Sequence, residues 1–262
     1  MSEELLVTDK ERLNKVSSIL VSQPEPTDQK NSPYYKLAEK YNIKIDFRKF
    51  IQVDPVDIKE FRRQKINILD HTAIIFTSRN AVDHFFRLAT ESKVEIPSDM
   101  KYFCVSEQTA NYLQKYIVIR KRKIFTGERT ASDLFDVMKK HKDEKFLYPC
   151  SNIRKDDIPV FLETNGYKFN EAVIYKTVAS DLSDLADIKY DIIAFFSPSG
   201  IQSLFENFPG FKQEKTRIAA FGPTTAKAVR DANLILDIQA PLPNAPSMTG
   251  ALELYIKQAN NL

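Results

Sequence analysis

Short apolar runs followed by polar turns and amphipathic segments recur along the chain. The apolar run 218–221 ends at Gly222 and Pro223, and Thr224 and Thr225 then open a helical pattern. This order predicts a buried strand, a turn and a helix. Because the first amide groups of a helix have no intrahelical partner, the pattern is typical of an anion-binding turn.

The same pattern predicts further strand–turn–helix units. Their strands are expected at residues 16–21, 72–77, 101–105, 123–126 and 146–148. Units of this kind in series imply parallel sheets with right-handed crossovers, and such sheets bind ligands outside the carboxyl ends of their strands. Those ends carry a small polar residue or glycine: Ser22, Ser78, Ser106, Ser151, Ser197 and Gly222.

The second half of the chain repeats the first in the same order. The matched segments are 42–53 with 166–178, 76–86 with 195–205, 101–113 with 217–229, and 130–134 with 245–249. Because Ser or Thr recurs at the matched turns, a true duplication is favoured over the general alternation of α/β proteins. The predicted fold class is therefore α/β, with two doubly wound parallel-sheet domains that would enclose a cleft lined with hydroxyl groups.

Composition narrows the function classes. The chain has 262 residues, of which 43% are hydrophobic, enough for the core of one large domain or two modest ones. Charged residues make up 28%, and the net charge of +3 is too small to indicate a nucleic-acid partner. Cys104 and Cys150 lack metal-ligand spacing, so we expect reduced thiols and a cytoplasmic protein. The acidic N-terminus has no apolar signal region, and no apolar run reaches the ~18 residues of a membrane span.

Familiar catalytic motifs are absent from the sequence. It contains no P-loop, G-x-G-x-x-G, H-E-x-x-H, C-x-x-C or G-x-S-x-G motif. His71, His84 and His141 are scattered, and the basic run 120–123 is interpreted as a solvated edge. What remains are hydroxyls and backbone amides, each of which contributes roughly 1.5–3 kcal/mol when it binds a carboxylate. Alternatively these Ser and Thr residues only cap helices, and both roles can hold together.

The ordered segments resemble the uroporphyrinogen-III synthase family. The similarity rests on IIFTSRNAVDHFF, SEQTA, EAVIYKTV, DIIAFFSPSG, AAFGPTTAKAV and APSMTGALELY, which cover nearly the whole chain beyond residue 17. The resemblance implies a discontinuous domain one and a contiguous domain two joined by a two-stranded β linker that acts as a hinge. The implied bounds are 17–43 and 180–262 for domain one, 54–166 for domain two, 44–53 and 167–179 for the linker, and 1–16 for a tail. The hydrophobic periodicity alone is equally compatible with two contiguous domains.

The resemblance also implies a reaction. The substrate would be hydroxymethylbilane, a linear tetrapyrrole with eight carboxylates, closed to uroporphyrinogen III with ring D inverted through a spiro intermediate and with loss of water. Such an enzyme is a hydro-lyase of haem biosynthesis without cofactor or metal. It is expected to be a cytoplasmic monomer without nucleic-acid or membrane partners.

The resemblance assigns residues by position. Tyr175 matches the family's tyrosine and is expected to assist loss of the substrate hydroxyl, although by residue type alone it would be read as a packed strand aromatic. Many family members carry Arg where this chain has Gln23, and Arg79 is a candidate replacement. The positions expected to bind substrate carboxylates are Thr77, Ser78, Ser106, Thr109, Ser197, Ser199, Gly200, Thr224, Thr225 and Ser247.

Two other functions stay open at this point. A non-enzymatic two-domain module that binds a small anion would use the same turns, but the sequence shows neither an export signal nor a helix-turn-helix. A two-domain glycosyltransferase would need a nucleotide-sugar site, and the sequence offers no acidic or Gly-rich candidate for it.

Overall fold

The computed structural model describes residues 12–118, 120–127, 131–186 and 189–260. The chain divides into two compact units. Unit one takes the chain up to Gln52 and again from Val178 onward, and unit two is Val53–Thr177. Within the described residues no helix is long and apolar enough to cross a membrane.

Strands and helices alternate along most of the chain. In order they are β1 (Ser18–Val21), α1 (Pro33–Tyr41), β2 (Lys44–Phe47), β3 (Ile51–Pro55), α2 (Ile58–Arg63), β4 (Ala73–Phe76), α3 (Arg79–Glu91), β5 (Lys101–Cys104), α4 (Glu107–Tyr112), β6 (Ile124–Thr126), α5 (Ala131–Met138), β7 (Lys145–Ser151), α6 (Asp157–Thr164), β8 (Lys168–Ala179), β9 (Ile192–Phe195), α7 (Pro198–Asn207), β10 (Arg217–Phe221), α8 (Pro223–Asp231), β11 (Leu236–Ala240) and α9 (Met248–Ala259).

Unit one contains a five-stranded sheet in the order β11-β10-β9-β1-β2. All four pairings are parallel. Strand β9 is buried along its whole length, as expected for a strand covered on both faces. Leu37 of α1 and Leu252 of α9 pack in one core cluster, whereas Leu204 of α7 and Val229 of α8 pack in another. Helices therefore cover both faces, which confirms the predicted doubly wound sheet.

Unit two contains a six-stranded sheet in the order β3-β8-β7-β4-β5-β6. The pairs from β8 through to β6 are parallel. Val82 of α3 and Ala110 of α4 belong to one core cluster, and Leu134 of α5 and Leu162 of α6 belong to the other. This second sheet is again covered by helices on two faces, so the α/β class with parallel sheets is confirmed.

The expected linker stretches lie mostly within the sheets. Residues 43–53 do not form one extended stretch: β2 pairs with β1, the chain breaks at 48–50, and β3 follows. The break occurs because Phe50 turns into the core of unit one, where it is 1% exposed and packs edge-on against Phe195. Strand β8 pairs with β7 from Lys168 to Tyr175. Strand β2 lies at the edge of the unit-one sheet, and β3 lies next to β8 in the six-stranded sheet. The hinge role that the resemblance implies for these stretches stays a prediction.

Part of the expected tail is anchored in unit one. The Arg12 guanidinium pairs with the carboxylate of Asp237, which is buried, and donates to the carbonyl of Thr216 at 2.8 Å. Val16 is 1% exposed and belongs to the core. The earlier residues of the expected tail, 1–11, lie outside the described part of the chain.

Candidate functional site

Four of the predicted serines cap helices at the carboxyl side of the sheets. Each side-chain oxygen accepts a hydrogen bond from an amide three residues later: Ser78 from Ala81 at 3.1 Å, Ser106 from Thr109 at 3.3 Å, Ser197 from Gly200 at 3.3 Å and Ser247 from Gly250 at 3.1 Å. These four serines therefore do cap helices, as one of the two interpretations expected, and their contact with a ligand stays a prediction. A cap occupies only a lone pair of the serine oxygen, so the hydroxyl proton can still be donated to another group.

The turn after β10 has no such cap. Gly222 adopts φ 85° and its amide donates to the carbonyl of Ala240 at 2.7 Å, but no side chain caps α8. A β-carbon at Gly222 would meet no atom within 4 Å, so backbone conformation rather than space requires glycine here. The amides of Thr224 and Thr225 consequently receive no cap from a serine.

The two matched threonines are buried. Thr225 is 1% exposed and Thr109 is 4% exposed, so their side chains pack at the first turns of α8 and α4. Thr224, in contrast, is exposed. Of the hydroxyls expected to reach a ligand at the turn after β10, that of Thr224 is therefore the accessible one.

Tight packing surrounds Gly200, a third predicted position of unit one. A β-carbon there would lie 3.3 Å from a ring carbon of Phe195 and 3.8 Å from the hydroxyl oxygen of Ser22. The first turn of α7 thus approaches the end of β9 closely, and the neighbouring Ser199 is half-buried. Ser197, Ser199 and Gly200 are all brought together at this one turn.

Unit two carries a cavity of about 570 Å³ at the carboxyl ends of its strands. Thr77 and Tyr175, both predicted, line it, and so does Ser151, one of the predicted strand-end serines. The other lining residues were not selected by sequence reasoning: Val105, Ser132, Tyr148, Cys150, Ile153, Arg154, Lys155, Asp157 and Ile158. Their side chains include aromatic, hydroxyl and charged groups. The cavity is thus a mixed surface on which several polar groups converge, as in many ligand sites.

Tyr175 is the buried phenol of the predicted set. It is 8% exposed on β8, and burial raises its pKa above the ordinary value of 10, while a hydrogen bond with the Ser78 hydroxyl acts in the opposite direction. The phenol is therefore protonated at neutral pH. Because the Ser78 oxygen already accepts from the Ala81 amide, its own proton is free to point to the Tyr175 oxygen. Tyr175 can then direct its proton elsewhere.

Charges around the cavity largely cancel. Arg154 forms ion pairs with Asp156 and Glu171, and its Nη2 lies 2.9 Å from Glu171 Oε1. Lys155 is exposed and forms no ion pair with the residues that the structure describes, but Asp157 also lines the cavity. The basic pair Arg154-Lys155, which begins three residues after the end of β7, was the sequence signal that could have found these two residues.

Arg79 is not placed on the cavity. Its guanidinium carbon lies 5.4 Å from the ring centroid of Tyr112, a cation–π contact. Many family members carry an arginine where this chain has Gln23, and the idea that Arg79 takes over the role of that arginine stays a prediction. Among the described residues, no group of three or more His, Cys, Asp or Glu side chains could hold a metal ion.

Comparisons with known proteins agree with one another. The family model described as uroporphyrinogen-III synthase HemD matches residues 34–250. The uroporphyrinogen-III synthase of Saccharomyces cerevisiae is 28% identical over 214 residues, which is 70% of this chain and 75% of the yeast protein. That of Chlorobaculum parvum is 24% identical over 262 residues, covering 92% of this chain and 100% of the relative.

Solved structures show the same fold. The uroporphyrinogen-III synthetase of Helicobacter pylori aligns with a TM-score of 0.59 at 19% identity, over 92% of this chain and 99% of that one. A mutant uroporphyrinogen III synthase from the extremely thermophilic bacterium Thermus thermophilus aligns with a TM-score of 0.56 at 13% identity, over 94% and 100%. At these identities the likeness concerns the fold.

Proposed function

Because the chain belongs to the uroporphyrinogen-III synthase family, we propose that it closes hydroxymethylbilane to uroporphyrinogen III with inversion of ring D and loss of water. The observation that carries the proposal is the family match over residues 34–250, which includes Tyr175 and most of the capped turns. The chemistry of those turns is compatible with it. Hydroxyls and amides recognise carboxylates without requiring a strongly basic protein.

Tyr175 is the proposed proton donor. Its proton passes to the substrate hydroxyl as the carbon–oxygen bond breaks, so that water leaves and the methylene carbon becomes electron-poor. The substituted carbon of ring D then attacks this carbon, which gives the spiro intermediate that rearranges and closes. The proton that the pyrrole loses in the closure restores the Tyr175 phenol. Burial raises the pKa of the phenol and so keeps it protonated before the transfer, and the Ser78 hydroxyl beside its oxygen can stabilise the phenolate that the transfer leaves.

Redirecting the closure needs little energy. Uncatalysed closure gives the symmetric type I isomer, and a tenfold preference between products corresponds to about 1.4 kcal/mol of differential transition-state binding. Several weak donors that position the two ends of the substrate can supply that difference. The predicted donors Thr77, Ser106, Ser197, Thr224 and Ser247 are proposed to do so.

The test is product analysis. Hydroxymethylbilane incubated with the protein should be consumed faster than in the blank, and the oxidised product should be the type III isomer. Recovery of type I product alone, at the rate of the blank, would reject the proposal. A protein boiled before mixing is the control for spontaneous closure.

We also propose that the enzyme works as a cytoplasmic monomer without a cofactor. Both cysteines are free and buried, which suits a reducing compartment. Sedimentation with and without substrate should give the mass of one chain, and a dimer would contradict this part.

A further inference from the structure

His84 lies against Tyr175 inside unit two. The ring centroids are 5.1 Å apart and the ring planes differ by 24°, a stacked arrangement. His84 belongs to α3, the same helix that begins after Ser78. One helix therefore presents two groups to the phenol: an imidazole against its face and, through its cap residue, a hydroxyl beside its oxygen.

The surroundings favour a neutral imidazole. Nδ1 of His84 is buried and has no hydrogen-bond partner among the described residues. Protonation would leave a buried N–H without an acceptor, which costs free energy. Burial and then the charge of Arg87 lower the pKa of His84 below 6.5, and Asp83 acts in the opposite direction.

Neighbouring charges are already compensated. On α3, Arg87 pairs with Glu91 and donates to the carbonyl of Val56 at 2.7 Å, while Asp83 pairs with Lys115 at 2.9 Å. Tyr175 on β8 is the titratable group stacked on the ring. In the described part of the chain no carboxylate accepts a hydrogen bond from Nδ1 of His84, so an imidazolium would not be stabilised there.

We propose that His84 is a positioning residue for Tyr175, whose phenol it holds toward the cavity through ring stacking while adding no positive charge beside the reacting carbon. This role rests on the proposed function. A displaced phenol transfers its proton less effectively, because catalysis depends on sub-ångström placement of the donor. An imidazolium at this place would repel the electron-poor carbon that forms as water leaves.

His141 provides a matched control. It is another partly buried histidine of unit two, its pKa is also lowered by burial, and its ring lies 5.2 Å from Phe103 and 4.4 Å from Phe125. Neither phenylalanine is among the residues that line the Tyr175 cavity. Changing His141 removes an equivalent packed imidazole without touching Tyr175.

Steady-state kinetics at pH 8 test the stacking. We expect His84→Ala to lower kcat about tenfold with KM within about twofold, and His84→Phe, which keeps an aromatic face, to retain kcat within about twofold. His141→Ala should keep the wild-type kcat. Wild-type kcat in a folded His84→Ala variant, or an equal loss in His84→Phe and His84→Ala, would overturn the proposal.

The pH dependence of kcat tests whether the His84 imidazole is uncharged in the working enzyme. Since the pKa of His84 is lowered, the wild-type kcat should fall only below about pH 6.5, where the imidazole protonates. His84→Phe cannot take up that proton and should lose this acidic limb, whereas His141→Phe should retain it. An unchanged acidic limb in His84→Phe would contradict the proposal, and this arm holds even if His84→Ala does not fold.

Nuclear magnetic resonance of ring-labelled histidine separates this proposal from the proposed function. The stack predicts an upfield ring-current shift of the His84 ring protons that is lost in Tyr175→Leu and kept in Tyr175→Phe. Such a result supports the stack even if the product assay fails, in which case only the reaction is rejected. Identical His84 shifts in wild type and Tyr175→Leu would remove the physical basis of the proposal.

Discussion

The carboxyl ends of the two sheets present different groups. In unit one they carry Ser197, Ser247 and the uncapped turn at Gly222, all of which offer amides and hydroxyls. In unit two the same kind of turn is joined by Tyr175 and by a cavity of about 570 Å³. Under the proposed function, unit one would supply amide and hydroxyl donors, and unit two would supply such donors together with the proton donor.

The matched turns make the contrast sharper. After β5, Ser106 caps α4 and its oxygen lies 3.2 Å from the Thr109 hydroxyl. After β10, Gly222 takes the corresponding place with φ 85° and no side-chain cap. A capping serine accepts a hydrogen bond from one amide of the first helical turn, so that this amide is occupied. Glycine has no side chain to cap the helix, so the amides of the turn remain able to donate to a ligand. The matched turn thus serves stability in one unit and forms a more open donor set in the other.

The largest effect is expected from Tyr175→Phe. Removing the proton donor should lower kcat about 10²-fold with little change in KM, as for other general acids. Tyr102→Phe is the control, because it removes another buried phenol of unit two whose pKa burial raises to about 12. Equal kcat values for wild type and Tyr175→Phe would contradict the assignment of proton transfer to Tyr175 of unit two.

Gly222→Ala should mainly weaken binding. Gly222 has φ 85° and ψ 154°, a region that is essentially restricted to glycine, so a β-carbon there costs about 1–3 kcal/mol and distorts the uncapped turn. Loss of one carboxylate hydrogen bond of about 1.5 kcal/mol corresponds to a rise of about tenfold in KM. Thermal unfolding and steady-state kinetics would measure the two effects.

Gly166 offers the matched control for that change. It has φ 70° and equally open space, but lies in the turn before β8, away from the predicted donors. Gly166→Ala should also lose stability, because it places a β-carbon at a positive φ, and should keep its KM. A similar rise of KM in both variants would mean that strain alone, and not the lost turn, explains the result.

Ser106 allows the two turns to be interconverted. Ser106→Ala should cost about 1 kcal/mol of stability, because the cap of α4 is lost, whereas Ser106→Gly should cost only a few tenths. If the glycine turn is the more open donor set, Ser106→Gly should also bind substrate at least as well as Ser106→Ala. Urea unfolding and KM values would decide, and a glycine variant weaker in both respects would refute the comparison.

The smallest effect concerns acid stability. Burial alone would raise the pKa of Asp191. The hydrogen bonds from Ser17 and Ser18 outweigh this effect, so that the pKa lies below its usual value of 3.8. A lowered folded-state pKa stabilises the protein above pH 3.8 and this contribution disappears as the pH falls through the folded value. Asp191→Asn should therefore be less stable than wild type at pH 7, and this difference in unfolding free energy should shrink as the pH falls below 3.8. A constant difference in unfolding free energy would contradict this linkage.

Much of the fold could be predicted because its strands are buried on both faces. Continuous apolar runs such as residues 73–76 and 192–195 indicate covered parallel strands, and serines after them indicate helix starts. The interruption of the extended stretch at 48–50 could not be predicted, because it depends on the contact between Phe50 and Phe195, which lie far apart in the sequence. Arg154 and Lys155 follow a strand that the sequence did predict, but their place beside Tyr175 depends on the pairing of β7 with β8.

Single-turnover reaction of hydroxymethylbilane with excess enzyme tests the central claim most directly, since it reads the chemical step and the product isomer together. We predict that wild type gives the type III isomer, that Tyr175→Phe gives the same isomer about 10²-fold more slowly, and that Gly222→Ala approaches the wild-type rate at saturation. Type I product from the wild type, or equal single-turnover rates for wild type and Tyr175→Phe, would contradict it.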